Sequence, residues 1–159
     1  MPSLIKHGRV VDNSWIAANP DSAAPAPNQI LTLAQWQQQT DKMDSAVQLD
    51  AGEEPDVLVE HLQQIKLIVI NFPVFTDGRG FSYARQLRED GYAGELRAGG
   101  HFIRDQLTYL SRCGFDAFQM ADELDLEAAL QSFEDFTEFY QAAVDQPLPL
   151  FRRRQDTPA

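Results

Sequence analysis

Apolar positions along this chain follow two alternating patterns. Short dense runs, of the kind a strand needs when both its faces are covered, fall at 45–49, 67–72, 95–98 and 117–120. Between them, apolar residues recur every three or four positions, as on a helix that buries one side: Leu58, Leu62 and Ile65; Phe81, Ala84 and Leu87; Ile103, Leu107 and Leu110. The run Leu67-Ile68-Val69-Ile70 is the densest and marks the middle of a sheet. Punctuation agrees with the periods. Thr32 and Gln35 have capping-box spacing for a short helix ending near Thr40, and Pro55 suits a first helical position. Gly91 and Gly114 are placed as left-handed terminators. Asp125 caps a predicted long helix with Leu126, Leu130, Phe133, Phe136 or Thr137, and Tyr140 on its inner face.

Residues 3–16 predict a short N-terminal strand pair turning near His7-Gly8. The composition then shifts to Ala, Pro, Asn and Ser over 17–28, which reads as a mobile surface connection, and 147–159 reads as a C-terminal tail. Four strand-then-helix units in succession predict an α/β fold with a mainly parallel sheet. An open sheet and a half or truncated β/α barrel satisfy the pattern equally. At 159 residues the expectation is one domain over 1–159.

Charge and cysteine content narrow the function. A net charge of −11 disfavours nucleic acid and anionic lipid, and no apolar run approaches the length of a membrane span, so a cytoplasmic protein is expected. A single cysteine excludes an intrachain disulfide or a four-cysteine cluster from one chain, and the three histidines lack metal-ligand spacing. Neither GxGxxG nor GxxxxGK[ST] occurs, so no nucleotide or other cofactor is evident.

Between Phe72 and Asp116 lie six arginines (79, 85, 88, 97, 104 and 112), six acids and no lysine; the block is formally neutral. Arginine without lysine implies fixed planar geometry, either ion pairs that lock the fold or a fork that receives an oxyanion. In α/β sheets ligands bind at the carboxyl ends of the strands. That rule gathers Thr76, Asp77 and Arg79 after the second strand, Arg97, Gly99, Gly100 and His101 after the third, and Gln119, Met120 and Asp122 after the fourth. One reading is an anion cradle: Thr76 and the Gly78 and Gly80 turn, with Arg79 as the fork and Arg97 as its partner. The other is a tight turn in which Asp77 bonds nearby N–H groups. His101, expected at a helix N-terminus that favours a neutral imidazole, joins Asp77 as a catalytic candidate or serves as a cap. Cys113 precedes a strand, at the opposite end, and reads as a small buried hydrophobe.

The stretches Phe72-Pro73-Val74-Phe75-Thr76-Asp77-Gly78-Arg79-Gly80-Phe81, Gly94-Glu95-Leu96-Arg97-Ala98, Arg104-Asp105-Gln106 and Arg112-Cys113-Gly114-Phe115-Asp116-Ala117-Phe118 resemble the bacterial domain-of-unknown-function family nine hundred and thirty-four. The likeness runs over about 46–140. That family carries an oxidoreductase label tied to sulfite reduction, because its genes sit beside those of a sirohaem sulfite or nitrite reductase. The resemblance therefore implies a partner, the reductase haemoprotein, while no motif in the residues supports the redox label. Three functions follow: an accessory or anion-binding protein of assimilatory sulfite or nitrite reduction; a small enzyme using Asp77, Arg97 and His101 on an unknown substrate; or a structural or interaction domain with internally paired arginines.

Overall fold

The computed structural model describes residues 3–21, 26–120 and 125–154. The sheet grows outward from β5 (Ile65–Phe72), whose dense apolar run is flanked by parallel strands β4 (Ser45–Leu49) and β6 (Glu95–Gly100). Beyond them lie the two-residue strands β3 (Leu31–Thr32) and β7 (Ala117–Phe118), so five strands run parallel in chain order. The hairpin β1 (Ser3–Lys6) and β2 (Arg9–Asp12) adds to β7 antiparallel, giving the order β2-β1-β7-β6-β5-β4-β3. Its loop, His7-Gly8, has positive φ at both positions (48° and 71°), the combination a type I′ turn requires. Among the described residues the sheet is open and its parallel strands number five, not four, because β3 is too short to leave a periodic signal.

Parallel strands in sequential order, joined by crossovers of one hand, carry all their connections on one face. Helices α1 (Leu33–Gln38), α2 (Arg79–Glu89), α3 (Leu107–Cys113) and α4 (Leu126–Leu130) obey this. Trp36, Ala84, Leu87, Leu107, Leu110 and Ala129 bury against Val47, Ile68, Ile70, Phe72, Leu96 and Phe118 in one core. The opposite face holds a second cluster of Ile30, Ala46, Leu67 and Val69, to which no helix contributes.

That face is covered by the connection from β2 to β3, which starts at one edge of the sheet and ends at the other, roughly 29 Å away at six strand spacings. Trp15 and Ala18 pack on the second cluster. Within this strap, Ile16 N donates to Asn28 O (2.8 Å) and Ile30 N to Ile16 O (2.9 Å). Of the connection expected over 17–28, residues 22–25 lie outside the described residues.

Several predicted elements shift. The stripe Leu58, Leu62 and Ile65 is not one helix: a 3₁₀ segment covers Pro55–His61, and Ile65 opens β5. α2 begins at Arg79, three residues early, and the expected helix from His101 becomes a 3₁₀ turn (Arg104–Gln106) followed by α3. The long helix predicted from Asp125 is short. Asp125 caps it as expected, but after Leu130 the chain passes through a 3₁₀ turn (Gln131–Phe133) and leaves helix altogether. Phe136 and Tyr140 stay exposed, so the apolar side that would have held a longer helix to the core is missing. In the expected tail, α5 (Leu150–Arg153) is tied back by Leu150 N to Tyr140 O (3.0 Å), while 155–159 lie outside the described residues.

Candidate functional site

At the carboxyl end of β5 the chain turns sharply, with Asp77 N donating to Val74 O (3.0 Å). The Asp77 carboxylate then accepts from the Arg79 backbone N (3.1 Å), its Nε (3.0 Å) and its Nη2 (2.6 Å). The Asp77 side chain is 11% exposed and that of Arg79 54%. Hydrogen bonds from the Arg79 side chain and backbone hold the Asp77 carboxyl down at about 2. The Arg79 fork is thus engaged by a carboxylate of its own chain, and an incoming anion would have to compete with it. Thr76 and Gly78 are exposed, whereas Gly80 is buried for a packing reason: an added Cβ would stand 2.6 Å from the Phe72 ring.

Arg97 lies elsewhere. β6 continues to Gly100, so Arg97 sits within the strand and not in the loop beyond it. Alternation along Glu95-Leu96-Arg97-Ala98 sends Leu96 and Ala98 to the helical face and Arg97 under the strap, where it is 2% exposed. Its Nε and Nη2 donate to Glu95 Oε1 (2.9 and 2.6 Å), and its Nη1 to Asn13 Oδ1 (3.1 Å) and Gln119 Oε1 (3.4 Å). Lys6 Nζ donates to the other Glu95 oxygen (2.6 Å). Burial alone would raise the Glu95 carboxyl, but Lys6 and Arg97 outweigh it and hold the group below the usual glutamate range. Arg79 and Arg97 therefore share no partner: one closes a turn at the carboxyl edge, the other fastens the strap. The alternation around Arg97 was the available sequence signal for this placement; nothing in the sequence pointed to Asn13 or Lys6.

His101 lies in the bend after β6, its backbone N donating to Phe72 O (2.7 Å) and its side chain exposed. Since α3 starts at Leu107, a helix dipole does not act on it. Gly100, at φ 82°, is required where it stands, because a Cβ would meet Asn71 Oδ1 at 2.3 Å and Phe72 O at 2.4 Å. Gln119 contacts Arg97, Met120 is buried, and Asp122 lies outside the described residues.

The other arginines of the block are also occupied. Arg85 pairs with Glu89 along α2 (2.9 Å). Arg88 donates to the carbonyls of Gly114 (2.9 Å), Tyr92 (2.7 Å) and Gly94 (2.9 Å) and to Asp116 (3.0 Å), joining the end of α2 to the starts of β6 and β7. Arg104 Nε donates to Ser132 Oγ (2.7 Å), and Arg112 bonds the Gln141 carbonyl and lies 4.1 Å over the Phe139 ring. Burial pushes the Cys113 thiol up, away from a reactive thiolate. Among the described residues no group of three or more His, Cys, Asp and Glu is placed to hold a metal ion, and no helix is long and apolar enough to cross a membrane.

The carboxyl edge also presents apolar side chains. Val74, Phe75 and Ile103 are exposed there, and Gln106 staples their two loops, its Nε2 donating to Phe75 O (2.9 Å) and its Oε1 accepting from Ile103 N (3.1 Å).

A mostly parallel, open α/β sheet with helices on one face and a strap on the other, built around internally paired arginines, defines a small α/β domain. The chain belongs to the bacterial proteins of unknown function of family DUF934, whose family model matches residues 46–151. The match runs from the second residue of β4 to the second residue of α5 and leaves out the hairpin, the strap, β3 and α1. No curated protein and no solved structure matches the chain.

Proposed function

We propose that the protein works by recognition and not by catalysis, as an accessory of assimilatory sulfite or nitrite reduction that docks on the reductase haemoprotein through its carboxyl edge. The observation that carries this reading is that all six arginines of the central block have partners within the chain, so that an incoming anion would meet groups already engaged. Exposed Val74, Phe75 and Ile103, held by Gln106, supply a preorganised apolar contact instead. The partner's identity comes from the family resemblance alone.

The test is co-purification of the full chain with the sulfite reductase haemoprotein, with sulfite turnover measured with and without it. Wild type should co-purify, and Phe75→Asp should lose the association while keeping the wild-type unfolding midpoint. Absence of association, or turnover by this chain alone with His101 or Asp77 required, would defeat the proposal in favour of the enzyme reading.

A further inference from the structure

A cleft of about 600 Å³ opens on the strap face at the amino ends of β5 and β6, far along the strands from the carboxyl edge. Two lysines reach it from different elements. Lys6 ends β1, and Lys66 is the extra residue of a β-bulge: Ser45 pairs with Ile65 and Ala46 with Leu67, so Lys66 is left out of the register and re-aimed. From the strap come Ser14, the half-buried Trp15 and Asn28. Trp15 also lines the neighbouring cleft and so stands between two depressions.

Three features indicate a built site. First, the donors outnumber the acceptors. Lys6 spends one N–H on Glu95, Lys66 makes only a long contact with exposed Asp44 (3.4 Å), and Glu95 is already neutralised by Arg97. The lining itself holds two lysines and two carboxylates, and buried Arg97 behind it tips the local balance to positive in a chain of net charge −11. Second, the segment is held in place: Asn13 Oδ1 accepts from both the Trp15 backbone N (3.0 Å) and Arg97 Nη1 (3.1 Å), so the buried guanidinium anchors the turn that carries the tryptophan. Third, left-handed turns frame the lining. Among the described residues three non-glycine positions have positive φ, and two of them line this cleft, Asn28 at 58° and Asp44 at 57°, residue types that adopt this backbone readily.

We infer that this cleft binds a small organic anion with a planar body, its carboxylate or sulfonate held by Lys66 and Lys6 and its flat face against Trp15. Ammonium groups with spare N–H bonds suit a singly charged head, and an indole wall favours a planar remainder over a hydrated inorganic ion. The inference is independent of the proposed partner, since it concerns the opposite end of the sheet and is read without the reductase.

Trp36 is buried in the core, which leaves Trp15 as the tryptophan whose fluorescence should respond. Benzoate titrated into the full-length protein should change that fluorescence saturably in the millimolar range or below. Benzamide, with the plane but not the charge, and sulfate, with the charge but not the plane, should each bind at least roughly tenfold more weakly. Lys66→Ala, an exposed position, should weaken benzoate by roughly tenfold or more at an unchanged unfolding midpoint. Trp15→Phe should abolish the optical signal, with calorimetry still reporting benzoate binding. Benzamide binding as well as benzoate, sulfate binding as tightly, no saturable response to benzoate, or an undiminished affinity in Lys66→Ala would each overturn the assignment.

Discussion

Replacing Arg97 by alanine removes the guanidinium and strands Glu95. In the wild type the Glu95 carboxylate has two donors from Arg97 and one from Lys6. The variant leaves a largely buried carboxylate with the single Lys6 contact, and Asn13 and Gln119 each lose a donor. Breaking a buried pair by removing one partner costs about 3–5 kcal/mol. Because Lys6 remains, the lower end applies, about 3 kcal/mol, which at this chain length lowers the thermal midpoint by roughly 6–12 °C. The pH dependence identifies the cause. In the wild type the depressed Glu95 carboxyl contributes stability that is present above its unfolded value, near about 4.3, and is lost as pH falls through its folded value. In Arg97→Ala, burial pushes the carboxyl up, so its cost is felt at neutral pH and disappears on protonation. The stability gap between the two proteins should therefore narrow as pH falls toward about 4. Adding Glu95→Gln to Arg97→Ala should recover more than half of the loss at neutral pH. A gap equal at both pH values, or a double variant no better than the single, would refute the stranded-charge account and leave lost packing as the cause. Urea denaturation followed by circular dichroism supplies the free energies, and a thermal melt supplies the midpoint shift.

Gly100→Ala should destabilise by about 2 kcal/mol or more in the same assay, since its Cβ would strike Asn71 and the Phe72 carbonyl at a left-handed position. Gly8→Asn should be nearly silent, because the hairpin turn is open around Gly8 and asparagine tolerates its φ. Arg88→Ala should cost about 3 kcal/mol, taking its donor from three carbonyls and leaving Asp116 with the Leu96 N–H alone. Cys113 should react slowly with a thiol reagent at neutral pH and quickly once the protein is denatured, its thiol being pushed up by burial.

What could be read from the sequence was what repeats or punctuates. The dense run of β5, the capping box at Thr32, the left-handed terminator Gly114 and the cap at Asp125 all stand where expected, because each is decided within a few residues. The placement of the arginines was not legible, because it depends on which face of the sheet lacks helices. Five strands in sequential order empty one face of helices, and only then does the alternation about Arg97 mean burial under a strap and not arrival at a strand end. β3 escaped notice because two residues carry no period, and the helix after Asp125 stopped early because Phe136 and Tyr140 find no apolar partner surface. The cleft at Trp15 was hidden for a related reason: it is assembled from residues 6, 14, 15, 28 and 66, which no spacing connects.

The pairing of β1 with β7 also bears on how the chain is made. Ile5 lies opposite Phe118, so β1 has no place beside β7 until the whole run of parallel strands has been synthesised. At roughly 5–20 residues per second the hairpin waits on the order of ten seconds on the ribosome with Leu4 and Ile5 uncovered. During that interval β4, β5 and β6 can already zip together as neighbours in the chain. The N-terminal segment then arrives as a late clasp, and its docking is a step that a holding chaperone is suited to guard.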